Sequence, residues 1–377
     1  MSKISFGFAR IHAEAGEVRD FLPELVGRLM QEGAEVCLEN GYGSGMGLAE
    51  ADYRAVAPDV KFVSQQEAYE QNVVVVLRYP GDEPLRWMRR GACLVSMLHY
   101  PTRPGRVAYL RSLGIEAVSL DSLTDDRGRR LVENLRAVAW NGLNVAFNVL
   151  REHYPENEIE NSGRRNPVKV TVMGVGAVGL FAVQAAVRYA DEEYWHKMAA
   201  QGVTGVQVSA VEYDLTSQTE VMQQIMRYTD ILVDATQRPD ASKPVIPNEW
   251  IGVMRPHAVL LDLSVDPYLC KDGSLCSVKG IEGVPQGNLD QYVFAPDDPG
   301  YDAIPEGVDT RERRHAVSCY SWPGIFPKEC MEVYGNQLSP MLLSMVEVGG
   351  VANINPEGYY FHRAIGRAML SRWGTPP

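Results

Sequence analysis

The sequence predicts an α/β protein built of two doubly wound, largely parallel sheets. Three observations predict it. Short apolar runs alternate with segments of helical period along most of the chain. At residues 168–180, VKVTVMGVGAVGL, an alternating strand runs into a Gly-rich turn and then an apolar helix. The chain has 377 residues, too many for one ordinary hydrophobic core, and suits two domains.

In chain order, residues 4–8 read as a first strand. Pro23 opens a helix with Leu22, Leu25, Val26, Leu29 and Met30 on one face, and Gly33 ends it. Residues 35–38 form a second strand, and NGYGSGMG (40–47) is a Gly-rich connection. Residues 48–56 are helical. VVVVL (73–77) and residues 92–98 have the continuous apolar character of buried parallel strands. The first ends in Arg78-Tyr79-Pro80, the second in His99-Tyr100-Pro101. Residues 107–113 form a helix stopped by Gly114, followed by a strand at 115–119. Beyond the charged turn DSLTDDRGRR (121–130), residues 131–152 read as one long helix. HYPENEIENSGRRN (153–166) reads as an exposed loop.

Gly174-x-Gly176-x-x-Gly179 then has the context of a dinucleotide-binding turn, between a strand and a helix. Gly174 permits the tight turn, Gly176 the approach of a pyrophosphate, and Gly179 close helix–strand packing. The helix N-terminus at Ala177 and Val178 offers unpaired N–H groups to phosphates. This second domain is therefore Rossmann-like. Residues 191–205 read as an inserted helical segment. Strands at 206–211, 231–233 and 258–263 end in Glu212-Tyr213-Asp214, Asp234-Ala235-Thr236 and Ser264-Val265-Asp266. Residues 280–307 read as irregular, 328–346 as a second long helix and 359–373 as a closing helix.

The formal net charge is −12, which argues against a nucleic-acid backbone or an anionic membrane as main partner. No apolar run is long enough to span a membrane, and the N-terminus lacks a signal-peptide pattern. The six cysteines form no CxxC, and Cys270 and Cys276 have no nearby histidine at ligand spacing. Reduced thiols, no metal site and a cytoplasmic location are expected.

The whole pattern resembles the superfamily of alanine dehydrogenase, the transhydrogenase alpha subunit and lysine-forming saccharopine dehydrogenase. GVGAVG is similar to the alanine dehydrogenase turn. LDSLTDDRGRR (120–130) resembles the saccharopine dehydrogenase turn before its bridging helix, and DLSVD (262–266) resembles both branches. WPGIFPKE (322–329), running into YGNQLSPML, resembles the second bridge of the saccharopine branch and an MPGAVP-type segment of alanine dehydrogenases. The resemblance implies an NAD-binding Rossmann domain (136–324) inserted into a substrate domain made from both chain ends (1–135 and 325–377). It implies an active site in the cleft between them and hydride transfer between a nicotinamide and the carbon of an amino acid or imine. A lysine and a histidine usually serve that chemistry. Here the lysine position falls on Arg78, the following acidic position on Tyr79, and the histidine is kept as His99. The family arginine has no match at Val18, and Arg19 is its nearest substitute.

The cofactor residues expected from the motif and the resemblance are Gly174, Gly176, Ala177, Val178, Gly179, Glu212, Ala235, Thr236, Leu263 and Trp322. Glu212 would accept ribose hydroxyls and repel a 2′-phosphate, so NAD is expected rather than NADP. Asp214 competes for that role, and a solvated strand end is the other reading of Glu212. His99 would carry the proton, or serve as a hydrogen-bonded structural histidine. Arg78 stays protonated and cannot act as a base, but it can clamp a carboxylate. Otherwise it pairs with Asp121 or a surface acid. Asp266 would help to position nicotinamide ribose or substrate, or cap its turn. Arg19, Tyr79, Asp121 and Arg130 complete the expected substrate set, although Arg130 also reads as simply solvated.

These readings favour an NAD-dependent oxidoreductase acting on an amino acid, a 2-oxo acid or their imine conjugate. A nucleotide-binding or regulatory protein without turnover is the alternative, and a subunit working on NAD only with a partner is a third. A homodimer or larger closed oligomer is expected from the apolar long helices and the resemblance.

Overall fold

Strand Val73–Arg78 (β4) shows how each sheet is buried. Val73, Val75 and Leu77 join one apolar cluster while Val74 and Val76 join another. The period of two in a strand places successive side chains on opposite faces, and both faces are covered. In this computed structural model the described residues are 3–14, 16–154, 166–190, 193, 200–201, 205–268 and 277–374.

The chain divides into two compact units, Met1–Asn134 with Phe326–Pro377, and Leu135–Ile325. In the first, β1 (Ser5–Phe8), β2 (Glu35–Glu39), β3 (Lys61–Val63), β4, β5 (Cys93–Met97) and β6 (Glu116–Ser119) form a sheet in the order β3-β2-β1-β4-β5-β6. All its pairings are parallel. Helices α1 (Pro23–Gln31), α2 (Glu50–Val56), α3 (Gln65–Tyr69) and α4 (Pro104–Leu113) belong to it. So does the long helix Pro327–Val348, whose Cys330, Met331, Leu338, Met341, Leu342 and Met345 are buried in the cluster that holds Val73 and Val75.

The second unit begins with α5 (Leu135–His153). Its strands are β7 (Val168–Met173), β8 (Val206–Val211), β9 (Ile231–Asp234), β10 (Val259–Asp262), β11 (Val293–Phe294) and β12 (His315–Ser318), ordered β11-β12-β10-β9-β7-β8. Only the β11–β12 pairing is antiparallel among them. Here too alternate residues part to opposite faces: Ile231 and Val233 lie in one cluster, Leu232 in the other. Helix α6 (Ala177–Val187) follows β7 directly, through the Gly-rich turn.

Several boundaries differ from the sequence expectation. The long helix expected at 131–152 starts at Leu135, because residues 123–131 fold back on themselves: Leu131 N donates to Leu123 O and Thr124 bridges Arg130. The closing helix spans only Tyr360–Ala368 and yields to a 3-10 turn at Leu370–Arg372. The stretch 280–307 contains β11, and β3 and β12 were not foreseen. They are two to four residues long, too short for a period to show. The expected loop at 153–166 and insertion at 191–205 fall mostly outside the described residues, as do Cys270 and Cys276.

Candidate functional site

In the second unit the strand order reverses between β7 and β9. Open α/β sheets bind ligands beyond the carboxyl ends of strands at such a point. The loop after β7 is the Gly-rich turn, and the loop after β9 carries Ala235 and Thr236. The three glycines differ in what holds them. Gly174 has φ +81°, and a Cβ there would lie 2.8 Å from the Ala235 carbonyl oxygen. A Cβ on Gly179 would lie 1.9 Å from the Gly174 carbonyl oxygen. Gly176, the residue before α6, has no atom within 4 Å of an added Cβ. The first and third are glycine for packing, and the second faces open space beside the first N–H groups of a helix. Ala177 is exposed and Val178 half-buried at that helix start.

Glu212 follows β8 and is exposed. Its Oε1 accepts the Val175 N–H at 2.5 Å, so the carboxylate stands on the Gly-rich turn itself. Asp214 accepts through its main-chain carbonyl from Gln218. Thr236 donates N–H and Oγ1–H to Asp234 Oδ1, at 3.0 and 2.6 Å. Leu263 and Trp322 are core residues. Leu263 packs where a Cβ on Gly142 would fall, and Trp322, 1% exposed, donates Nε1–H to the Asp262 carbonyl.

Asp266 does not stand alone. Its Oδ2 accepts from Arg238 Nη2 at 2.7 Å, and its carbonyl accepts from Lys279 Nζ at 3.0 Å. Lys279 is fully buried and also donates to Asp262 Oδ2 at 2.6 Å. Ser264 Oγ joins Asp262 Oδ1 to Asp234 Oδ2. Burial opposes ionisation of Asp262, but the Lys279 charge and hydrogen bond outweigh it and hold its carboxyl below the usual range. Among the described residues no cation pairs with Asp234. Burial, with Asp262 nearby, pushes it up to about 6. Sequence reasoning missed Lys279, Asp262, Asp234 and Arg238 as a network. Asp234 was visible only as a strand end and Asp262 only as the first residue of DLSVD, and nothing local marks Lys279.

In the first unit the strand order reverses between β1 and β4. Arg78 ends β4, and its Nη1 donates to Glu14 Oε2 at 2.8 Å, with Glu17 Oε2 at 3.7 Å. Of the alternative partners expected, Asp121 or a surface acid, Arg78 meets a partly exposed acid, Glu14, with the buried Glu17 behind it. Arg19 is buried and forks onto Glu17, donating Nε–H to Oε1 at 2.7 Å and Nη2–H to Oε2. It also meets Cys330 Sγ. Glu17 thus takes up Arg19 and faces Arg78, an arrangement no spacing in the sequence announces.

His99 follows β5 with φ +52°, a left-handed conformation uncommon for a side chain of its size. Asp121, buried, explains how it is held. Its Oδ1 accepts from the main-chain N–H of Leu98 and of His99, both at 3.0 Å, and from Ser119 Oγ at 2.8 Å. The imidazole is half exposed, with Nδ1 3.7 Å from Asp121 Oδ2. Burial lowers the imidazole pKa below its ordinary value. Asp121 opposes the fall, while Arg106, Arg130 and Arg103 add to it. A neutral ring is a base. Tyr79 donates its hydroxyl to Asp82, and the Arg106 guanidinium lies 3.8 Å over its ring. Arg130 is exposed. The structure thus groups His99, Asp121, Arg106 and Tyr79, and ties Arg78 and Arg19 to acids.

Among the described residues no group of three or more His, Cys, Asp or Glu is placed to hold a metal, and no helix is long and apolar enough to cross a membrane.

Two family models match the chain: "Alanine dehydrogenase/PNT, N-terminal domain" over residues 15–138, and the corresponding C-terminal domain over 143–279. The chain is 22% identical over 260 residues to an alanine dehydrogenase of Mycolicibacterium smegmatis, covering 67% of this chain and 70% of that protein. It is 22% identical over 254 residues to alanine dehydrogenase of Bacillus subtilis, covering 65% and 66%. Against the NAD(P) transhydrogenase subunit alpha of Haemophilus influenzae it is 22% identical, covering 89% of this chain and 65% of that one. The matches thus span about two thirds of these relatives' own lengths. In fold it resembles a solved L-alanine dehydrogenase, with TM-score 0.68 and 17% identity over 97% of this chain and 94% of the other. It also resembles a transhydrogenase from Sinorhizobium meliloti, with TM-score 0.64 and 18% identity over 92% and 95%.

Proposed function

Because the chain belongs to the alanine dehydrogenase/PNT family, we propose that it is an NAD-dependent oxidoreductase acting on an amino acid, a 2-oxo acid or their imine conjugate. The observation that carries this reading is Glu212 on the Gly-rich turn, with Oε1 2.5 Å from the Val175 nitrogen. A carboxylate there accepts ribose hydroxyls and repels a 2′-phosphate. The open face of Gly176 and the N-terminus of α6 fit a pyrophosphate. The residues present therefore suit the dinucleotide.

A bound nicotinamide would supply the hydride acceptor or donor. Glu212 would hold the adenosine ribose of the dinucleotide, and the Asp234–Asp262–Lys279 network stiffens the loop that carries Asp266. His99, its pKa depressed, is neutral at pH 7 and takes a proton from the amine or alcohol as hydride leaves. Asp121 holds the His99 main chain so that the ring can be offered from a left-handed turn. Arg78 clamps a carboxylate only by exchanging Glu14 for it. The same reading takes the protein as a cytoplasmic homodimer or larger oligomer.

The second reading, a nucleotide-binding homologue without turnover, is favoured by one observation. Arg78 stands where the resemblance leads one to expect lysine, and it is engaged by Glu14. A panel of 2-oxo acids, with and without ammonium or amino acids, followed by NADH absorbance, separates the two. Oxidation of NADH by a member of the panel supports the enzyme. Silence across the panel with NADH bound supports the homologue.

A further inference from the structure

We infer that Arg106 is the specificity-determining cation of the His99 loop and that this loop takes a 2-oxo or amino acid bearing two carboxylates. The inference rests on the reading of that loop as the substrate site, and it names the substrate class.

The geometry begins with α4. Arg106 lies in its first turn, half-buried, with its guanidinium carbon 3.8 Å from the centre of the Tyr79 ring. Its Nη1 donates to the Leu98 carbonyl at 3.0 Å, next to His99. The ring contact and this one bond restrain the fork, which suits two-point recognition of a carboxylate. Among the described residues Arg106 forms no ion pair with a carboxylate. Arg78 and Arg19 differ, for each meets an acid at hydrogen-bond distance.

Charge around His99 points the same way. Arg106, Arg130 and Arg103 all act on the imidazole, and Asp121 acts with opposite sign. Asp121 Oδ1 is filled by Leu98 N–H, His99 N–H and Ser119 Oγ–H. Arg103 donates Nη1–H to the carbonyl of Thr102, and among the described residues neither it nor Arg130 is ion-paired. A protein with a net charge of −12 thus gathers three arginines around His99. Burial also disfavours the charged form of Arg106, so an arriving anion restores what the fold has taken away. One carboxylate leaves part of that positive charge unpaired. A second one, at Arg106, gives the discrimination.

The test uses two 2-oxo acids that differ chiefly in the second carboxylate, 2-oxoglutarate and 2-oxobutyrate. Their dissociation constants are measured calorimetrically on the full chain saturated with NADH, for the unmodified protein, Arg106→Gln and Arg106→Lys. The unmodified protein should bind 2-oxoglutarate at least about tenfold more tightly, as a charge-assisted pair allows. Arg106→Gln should bring the ratio to within about threefold, and Arg106→Lys, which keeps the charge without the planar fork, to between the two. NADH affinity should stay within about twofold throughout. A ratio near one in the unmodified protein overturns the inference, and so does a ratio that Arg106→Gln leaves unchanged. If Arg106→Gln fails to bind NADH, the ratio for Arg106→Lys decides in the same way. A preference that follows Arg106 without any hydride transfer would sink the enzymatic reading and leave this one standing. Hydride transfer with a ratio indifferent to Arg106 would do the reverse.

Discussion

Asp121 holds His99 by its main chain rather than by its ring: Oδ1 accepts the His99 N–H at 3.0 Å, while Oδ2 stands 3.7 Å from Nδ1. The carboxylate therefore has two separable effects. It fixes a left-handed backbone, and its charge supports the protonated imidazole against burial and three guanidiniums. Asp121→Asn keeps an acceptor oxygen and removes the charge. The His99 pKa, read from its ring proton resonances, should fall further. An unchanged or raised value would show that Asp121 does not act on the ring. Asp121→Ala should cost about 1–3 kcal/mol for each N–H left without its acceptor, read by urea unfolding.

Gly176 and Gly179 separate nucleotide binding from packing. Gly176→Ala meets no atom within 4 Å, so stability should change by less than about 0.5 kcal/mol while NADH affinity drops severalfold. Gly179→Ala puts a Cβ 1.9 Å from a carbonyl oxygen and should destabilise the fold by about 1–3 kcal/mol. Denaturant unfolding and NADH fluorescence titration check both. Equal losses of affinity and stability at Gly176 would contradict the assignment.

Glu212 should set the choice of cofactor. NADH should bind more tightly than NADPH, and Glu212→Ser should narrow the difference. Equal affinity of the unmodified protein for the two would remove Glu212 from the ribose.

Asp20 makes stability depend on pH in a stated direction. It is buried, accepts the Gly43 N–H at 2.7 Å and has Arg10 at 3.8 Å. Burial pushes its pKa up to about 7, from an ordinary value of 3.8. The folded form then binds a proton that the unfolded form has released. This contribution is whole below about pH 4 and is lost as pH rises through 7, by about 1.4 kcal/mol per unit of difference at most. Asp20→Asn should therefore flatten the fall in stability between pH 4 and about 7. Identical slopes for the two proteins would refute the raised value.

The fold was legible because its signals are local. VVVVL at 73–77 reads as a doubly buried strand and is one, and the Gly-rich turn joins a strand to a helix as its spacing requires. The place of His99 after such a strand was legible, and its expected role came from the resemblance. The charge network was not. Arg78 and Glu14 are 64 residues apart, and their meeting follows from β1 and β4 lying side by side, not from any spacing rule. Lys279 was invisible for a similar reason. A lysine in a short, mixed stretch reads as solvated, and only the paired ends of β9 and β10 create the buried acids that receive it. Trp322, expected at the cofactor from the resemblance, is buried and donates its N–H to the Asp262 carbonyl, a packing role the sequence did not announce.

The most direct test of the central claim follows the hydride itself. NADH deuterated at the transferring position is incubated with the protein, ammonium and the best-bound 2-oxo acid, and the product is analysed by mass spectrometry and NMR. Deuterium should appear on the carbon that bore the oxo group. His99→Gln should slow its appearance by about a hundredfold or more, with NADH affinity within about twofold. Saturating NADH binding with no deuterium transferred to any member of the oxo-acid panel would contradict the account and leave a nucleotide-binding homologue without turnover.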